Sequence, residues 1–483
     1  MRAPERIHPL MTVRPSRRSA ASATGVLLAA ALVLSALFSM AVPAAAAPHP
    51  SHGVQIDPPP AITLPPEFDP FYTPTAGAVA AAKPGQIIRA RAINPAFMGL
   101  ISLNVNAWQL VYRSNDSHGA AIPIVTTVLT PRGSSPAGGR KLLSYQIAED
   151  SAAQYCAPSY VIQYGAIPAD YVNAAETLIP LAAGVAQGWT VAMPDYEGPN
   201  SAYGAARLGA QATLDGIRAV ESFAPAELHG AKTPAALWGY SGGTIPTSFA
   251  AEIKQAYAPD LNVVGTASGG IAPADYIGIL EHNNGGVYAG LISGPIVGIA
   301  TEYPDMQREL NEHVNLLGQA VLASKRVLCH PQGTSIFPGL NYMGTFNGAD
   351  PLQLPGIKHA IADNTLGERT PSVPVFMYQA QYDEIIPTAG VDRIANKYCA
   401  DRAPSVTYER ELLAEHISGV ITQIPDAFTW IRARLDGIPA VPGCHITNLT
   451  STITEPQFGR VLGTMLPAVA QALIGQAIGE GKH

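Results

Sequence analysis

The chain has 483 residues, 47% of them hydrophobic and 13% charged, with a formal net charge of −7 at pH 7. That length holds one large domain with an insertion, or two smaller ones, and the composition is too apolar for a chain disordered over its bulk. No long basic run interrupts the body, which argues against a nucleic-acid partner.

At the N-terminus Arg14, Arg17 and Arg18 precede the apolar run GVLLAAALVLSALFSMAV, and the small residues PAAAAPHP follow. This order is that of a secretory signal peptide, residues 1–46, with cleavage expected after Ala46, so that Ala44 and Ala46 take the two small-residue positions. A membrane anchor is the alternative. The run is near the minimum spanning length, but its alanine-rich exit favours cleavage and leaves no stable transmembrane anchor. Residues 1–46 carry five Arg and one Glu, so their removal makes the exported chain more acidic. Met11 is an alternative start, because the pattern is complete without residues 1–10. Four cysteines lie beyond it: Cys156, Cys329, Cys399 and Cys444. An even number in an exported protein suggests two disulfides. Three pairings are possible; proximity in sequence favours Cys399–Cys444, which leaves Cys156–Cys329. No C-x-x-C or histidine-rich spacing points to a zinc site, and no metal is expected.

Residues 47–75 are proline-rich and read as an extended leader. Strands then begin, in GQIIRARAI, AWQLVYRSND, Ala121–Thr130 and KLLSYQIA, the last nearly continuous in apolar residues, as buried parallel strands are. After these the chain alternates. ETLIPLAAGVAQG is a predicted helix ending at Gly188, and WTVAMPDY a strand. A helix follows in GAARLGAQATLDGIRAVESFAP, with Leu214, Ile217 and Val220 at helical spacing. TPAALWG is the next strand, TIPTSFAAEIKQAYAP a helix, and LNVVGTASG a strand. This rhythm predicts an α/β fold with a mostly parallel sheet covered on both faces. It breaks over 272–354, read as a helical cap or lid inserted between two parts of the core, 76–271 and 355–450. Within it Leu310, Val314, Leu317 and Val321 share one face of a single predicted helix, with Pro304 and Asp305 in its first turn. A plainer reading makes this stretch one more helical layer of the main domain. The sheet resumes at PSVPVFMYQAQYDEIIP, then come a helix in TAGVDRIANKYC and a strand in SVTYEREL. The segment 451–483 is apolar but broken by Pro467 and glycines, and reads as a packed helix or flap.

The chemistry centres on ALWGYSGGT. G-x-S-x-G is a modest signal in a chain with 45 glycines, but here it stands between a strand and a helix. That is the setting of a nucleophile elbow, with Ser241 at its tip, Tyr240 before it, and Gly239 and Gly243 relieving crowding where strand and helix nearly touch. The Gly242 N–H and the positive end of the helix then face an oxyanion. A serine hydroxyl needs a base, and the base an orienting acid. Asp383, at the end of a buried-looking strand, is the candidate acid, with Glu384 the alternative and a turn cap the structural reading. His416, 33 residues later and followed by helix-like sequence, is the candidate base. His445 sits beside a cysteine, His313 and His330 lie in the insertion, and His282 and His359 precede the acid, which is the wrong order. Asp150 follows an early buried strand, where a second oxyanion donor belongs; its structural reading is a helix N-cap. Asp195 and Glu197 also end a strand on the same side and read as structural or site-shaping carboxylates. Nothing else supports reading them as a glycosidase pair.

The stretches QLVYRSNDSHGAAIPIVTTVLTP, SYQIAEDSAAQYCAPSY, PDYEGPNSAYGAARLGAQATLDGIRA, GYSGGT, YQAQYDEIIP and EHISG, in this order over roughly residues 80–450, resemble the secretory lipases of fungi and actinobacteria, in the α/β-hydrolase superfamily. The resemblance implies an α/β-hydrolase with a helical cap between nucleophile and acid, a triad of Ser241, Asp383 and His416, and an oxyanion hole at Gly242 and Asp150. Glu149 departs from the pattern, which leads one to expect an aromatic residue there. The expected activity is secreted carboxylic-ester hydrolysis, foremost of triacylglycerols at a lipid–water interface, with no cofactor. A short-chain esterase or acyltransferase on the same fold is the alternative; a peptidase or a non-catalytic surface-binding protein is more remote.

Overall fold

Apolar and β-branched segments recur through the chain, and eleven of them pair into one sheet in the computed structural model, which describes residues 54–480. The signal-peptide reading of residues 1–46 lies outside the described residues. The order across the sheet is Ile56–Asp57, Ile87–Ala92, Asn106–Asn115, Ala121–Thr130, Thr190–Pro194, Leu142–Gln146, Ala235–Tyr240, Val263–Gly269, Val375–Ala380, Ser405–Glu411 and Gly443–Leu449. From Thr190–Pro194 onward every pairing is parallel, whereas Ile87 to Thr130 pair antiparallel. A parallel neighbour needs a crossover, and helices supply it.

The sheet's period of two sorts side chains onto two cores. Leu142, Leu237 and Met377 join the helices Ala206–Ser222, Thr244–Tyr257 and Thr388–Ala400 on one face. Leu143, Trp238 and Phe376 join Leu178–Ala183, Ile424–Leu435 and Pro456–Leu473 on the other. All residues of Leu142–Gln146, Ala235–Tyr240 and Val375–Ala380 are buried. Each fully buried Leu or Met side chain contributes about 1.5–3 kcal/mol, so these central strands hold the core of the fold together. Their C-terminal ends carry the polar turns described below.

Three elements differ from the sequence expectation. The single helix through Leu310 and Val321 is two, Pro304–His313 and Leu316–Lys325. Asn315 stops the first and caps the second, its side chain accepting the Gly318 N–H, while Val314 bridges to Phe346. A local cap outweighed a helical period that continued across the break. The helix expected to end at Gly188 is interrupted at Gly184, leaving Leu178–Ala183 and one 3-10 turn, although Gly188 does close it with φ +86°. Gly443–Leu449 is an edge strand that the sequence did not announce. It is almost wholly exposed, so it carries no burial alternation to read. Pro456–Leu473 contains Pro467 and packs on Ile424–Leu435 and Leu178–Ala183. Among the described residues no helix is long and apolar enough to cross a membrane.

Both disulfides take the favoured pairing. Cys399–Cys444 pins the edge strand to the helix Thr388–Ala400, and Cys156–Cys329 ties the segment after Asp150 to the helical region after Ala272. Cys156, Asp170 and Cys329 lie close enough together to hold a metal ion, but both sulfurs are spent in the disulfide.

Candidate active site

Ser241 follows the buried strand Ala235–Tyr240 and starts the 3-10 turn Ser241–Gly243 that runs into the helix Thr244–Tyr257. Its φ is +50°, a left-handed conformation that costs a non-glycine residue about 1–3 kcal/mol. The surroundings hold it there. A β-carbon on Gly239 would run into the Gly243 carbonyl and the Thr247 hydroxyl, and one on Gly243 into the Gln146 carbonyl. Only glycine lets the three segments meet this closely. Thr247 bridges the same contact, donating to Gly243 O at 2.7 Å.

Asp383 lies in the turn after Val375–Ala380, three residues past the strand's end. Its Oδ1 accepts the N–H groups of Ile385 (3.0 Å) and Ile386 (2.6 Å), and its Oδ2 accepts Gln379 Nε2 at 2.7 Å. The remaining contact of Oδ2 is His416 Nδ1, at 2.8 Å. His416 opens the short helix His416–Thr422, and its Nε2 lies 2.8 Å from Ser241 Oγ. The three predicted residues therefore form one hydrogen-bonded line across three separate turns. His416 is 4% exposed and Asp383 6%. Burial pulls the His416 pKa down, but the charge and hydrogen bond of Asp383, then the charges of Glu384 and Asp150, outweigh it and leave it raised.

Glu384, the alternative acid, does not reach the imidazole. Its Oε2 accepts the His416 backbone N–H at 2.6 Å, while Tyr240 donates its hydroxyl to the His416 carbonyl at 2.7 Å. These two groups, with Gln379 on Asp383, position the line, and sequence reasoning assigned none of them that part. The signal available was polarity: Gln379 is a polar residue in an otherwise apolar buried strand. Of the other histidines, His445 lies on the exposed edge strand, His313 ends a helix, His282 faces the Glu384 carbonyl, and His359 stands edge-on to Tyr303.

Asp150 has φ +46° and sits in the turn after Leu142–Gln146, beside Gly242. It caps no helix; Ser151 Oγ instead accepts the Ala153 N–H. Asp150 Oδ1 is buried without a partner, and His330 Nε2 stands 3.7 Å from Oδ2. Among the described residues, the backbone N–H groups of Gly242 and Asp150 have no acceptor. Asp195 is held by the Ser159 N–H (2.9 Å) and hydroxyl (2.5 Å). It and Glu197 line a different cavity from Ser241.

Ser241 and Gly242 line an apolar cavity whose walls also include Leu291, Pro295, Ile299, Met306, Leu310 and Ile357. Most of this wall comes from helices between Tyr276 and Asn364.

The profile described as Secretory lipase matches residues 168–455. The chain belongs to the secretory lipase family. As a secretory lipase it is a carboxylic-ester hydrolase on an α/β-hydrolase fold. It is similar to Lipase A of Arthroderma benhamiae, 33% identical over 86% of this chain and 89% of that protein. It is also similar to a Mycobacterium tuberculosis protein named "Probable inactive lipase", 36% identical over 86% of this chain and 92% of the relative. Among solved structures, Candida antarctica lipase A in its closed state superposes with a TM-score of 0.76 at 30% identity, covering 86% of this chain and 99% of that one.

Proposed function

We propose that this extracellular lipase cleaves acyl esters, foremost triacylglycerols, through a Ser241 acyl-enzyme. The observation that carries the reading is the continuous hydrogen-bonded line from Ser241 Oγ through His416 to Asp383, each link 2.8 Å. His416 Nε2 takes the hydroxyl proton as Oγ bonds to the ester carbonyl carbon. The carbon–oxygen bond to the alcohol then breaks, and His416 returns the proton to the leaving alcohol. Water repeats the two steps on the acyl-enzyme and frees the acid. Asp383 fixes the tautomer of His416 and stabilises its imidazolium. The free N–H groups of Gly242 and Asp150 are the proposed oxyanion donors, fixed in advance by the turns that carry them. The helical region 272–354 serves as the cap, and its apolar cavity takes the acyl chain.

One relative is named as inactive, so catalysis itself needs a direct test. A serine-directed phosphonate should label the wild-type chain and leave Ser241→Ala unlabelled. No labelling of a folded wild type would end the hydrolase mechanism. A series of esters from short to long acyl chains separates a lipase from a short-chain esterase: the cavity favours turnover of long chains, and turnover of acetyl and butyryl esters alone would sink the lipase assignment while leaving the triad.

A further inference from the structure

Residues 327–332 of the helical region are bound to the stretch that follows Asp150. The Cys156–Cys329 disulfide joins them covalently. Ser151 Oγ donates to the Leu328 carbonyl at 3.0 Å, the Tyr155 hydroxyl to the Val327 carbonyl at 2.8 Å, and Gln332 Nε2 to the Ala169 carbonyl at 2.8 Å. The Asp170 carboxyl accepts the His330 backbone N–H. His330, the first residue of the short helix His330–Ser335, is thus held by its neighbours on both sides.

Its ring faces Asp150. Nε2 stands 3.7 Å from Asp150 Oδ2, the only ion-pair contact that Asp150 makes among the described residues, and the Asp150 side chain is 2% exposed. Asp150 Oδ1 has no hydrogen-bond partner and lies against Gly242. His330 Nδ1 is also buried without a partner. An orphaned buried N–H is rarer than an orphaned acceptor, so the ring proton belongs on Nε2, facing the carboxyl.

The carboxyl matters for what lies beside it. Gly242 and Asp150 carry the two free N–H groups proposed to hold the oxyanion, and an uncompensated carboxylate there repels the negative oxygen they stabilise. The Asp150 charge does reach the site. Burial lowers the His416 pKa, and Asp150 is among the charges that, with Asp383 and Glu384, raise it. Tyr203 lines the cavity with Ser241; burial, followed by the Asp150 charge, pushes its phenol well above the ordinary value. Glu149 and Glu197, which line a separate cavity beside the turn, bring no positive charge.

We infer that His330 is a positioning residue for ester hydrolysis: its Nε2–H holds the Asp150 carboxyl and offsets the negative potential that this carboxyl projects onto the oxyanion. The inference rests on the oxyanion hole proposed above. Catalytic contacts of this length tighten when substrate is bound, and the 3.7 Å separation shortens to a hydrogen bond as the oxyanion forms. The helical region thereby contributes to the chemistry as well as to the cavity wall.

The test is a double-mutant cycle on the full secreted chain, with kcat and KM measured on a soluble acyl ester at one fixed pH. His330→Phe removes both ring nitrogens and keeps a flat ring; His330→Leu is a second variant without nitrogen, and His330→Gln keeps an N–H donor. The disulfide still ties the segment down, so the variants should fold, as near-ultraviolet circular dichroism and Tm will show. His330→Phe and His330→Leu should each lower kcat about tenfold with KM unchanged, less than the loss of a direct oxyanion donor. His330→Gln should recover most of that loss. Asp150→Asn removes the charge and tolerates the left-handed backbone; in that background His330→Phe should change kcat by less than about twofold. Equal losses in the two backgrounds, no recovery by His330→Gln, or an unchanged kcat in His330→Phe and His330→Leu would each overturn the role of His330 while leaving the triad intact. A wild type that hydrolyses no ester would end the hydrolase mechanism and this inference with it.

Discussion

Gly242 lies so close to the Asp150 carboxyl that a β-carbon at Gly242 would overlap Asp150 Oδ1. The two turns of the proposed oxyanion hole are therefore packed directly on each other, and the spacing of their free N–H groups depends on that contact.

Gly242→Ala should push the turns apart. With an oxyanion donor displaced, kcat should fall about 100- to 1,000-fold while KM changes little. Steady-state kinetics on a soluble ester, with Tm measured in parallel, checks this. A variant of normal activity would remove Gly242 from the oxyanion site.

The raised pKa of His416 sets the pH dependence. Burial opposes the charge and so works against the shift, but Asp383, Glu384 and Asp150 together favour the imidazolium. The neutral imidazole is the base, so activity should climb with pH across a limb centred above the ordinary histidine value of about 6.5. The stability linkage has the opposite sense: a pKa raised on folding stabilises below the unfolded value and is lost as pH rises through the folded one. Asp383→Asn should lower kcat about 10,000-fold and move the limb to lower pH. A pH–rate profile of kcat/KM for both proteins reads it.

Glu384 holds the backbone of His416, not its ring. Glu384→Ala should cost about 1–3 kcal/mol of stability, since it strands a partly buried N–H. Glu384→Gln keeps an acceptor, so it should recover most of that loss while removing one charge that raises the His416 pKa. Thermal unfolding and the acid limb of the rate profile separate the two effects.

The disulfide Cys156–Cys329 spans 173 residues and closes the segment after Asp150 onto the helical region. Replacing both cysteines by serine should cost about 2–5 kcal/mol. Activity at temperatures well below Tm should also fall, because Ser151, Tyr155 and Gln332 are hydrogen-bonded across the same junction. Loss of Cys399–Cys444, at the edge strand, should cost stability with little effect on kcat. Denaturation curves and kinetics of the two double variants test the contrast.

Ile299 lines the same cavity as Ser241 and Gly242. Ile299→Trp should block its depth and cut turnover of long acyl esters roughly tenfold or more relative to acetyl esters. Equal loss for both would mean that the cavity is not the acyl site.

How much of this was legible in the chain differs from place to place. The elbow was readable because its needs are local: a buried strand, glycines two before and two after Ser241, and a helix start. Asp383 and His416 were readable because each ends a strand or opens a helix, in an order that an α/β-hydrolase imposes. The break at Asn315 was not, because one side-chain cap ended a helix whose apolar period continued past it. Nor was Gly443–Leu449, whose exposed residues follow no period that burial enforces.

The sequence by itself determined the alternation of strands and helices, the residue types of the line, and the order in which they occur. These rest on covalent neighbours and on a burial period of two or 3.6 residues, both of which a linear chain carries. Only the tertiary structure decided that His416 Nε2 meets Ser241 Oγ, that Glu384 grips the His416 backbone instead of its ring, and that Glu149 and Glu197 share one cavity. Those contacts join turns from 32 to 175 residues apart in sequence, and the order in which the parallel strands pair across the sheet, which no local signal encodes, is what brings them to one end of it.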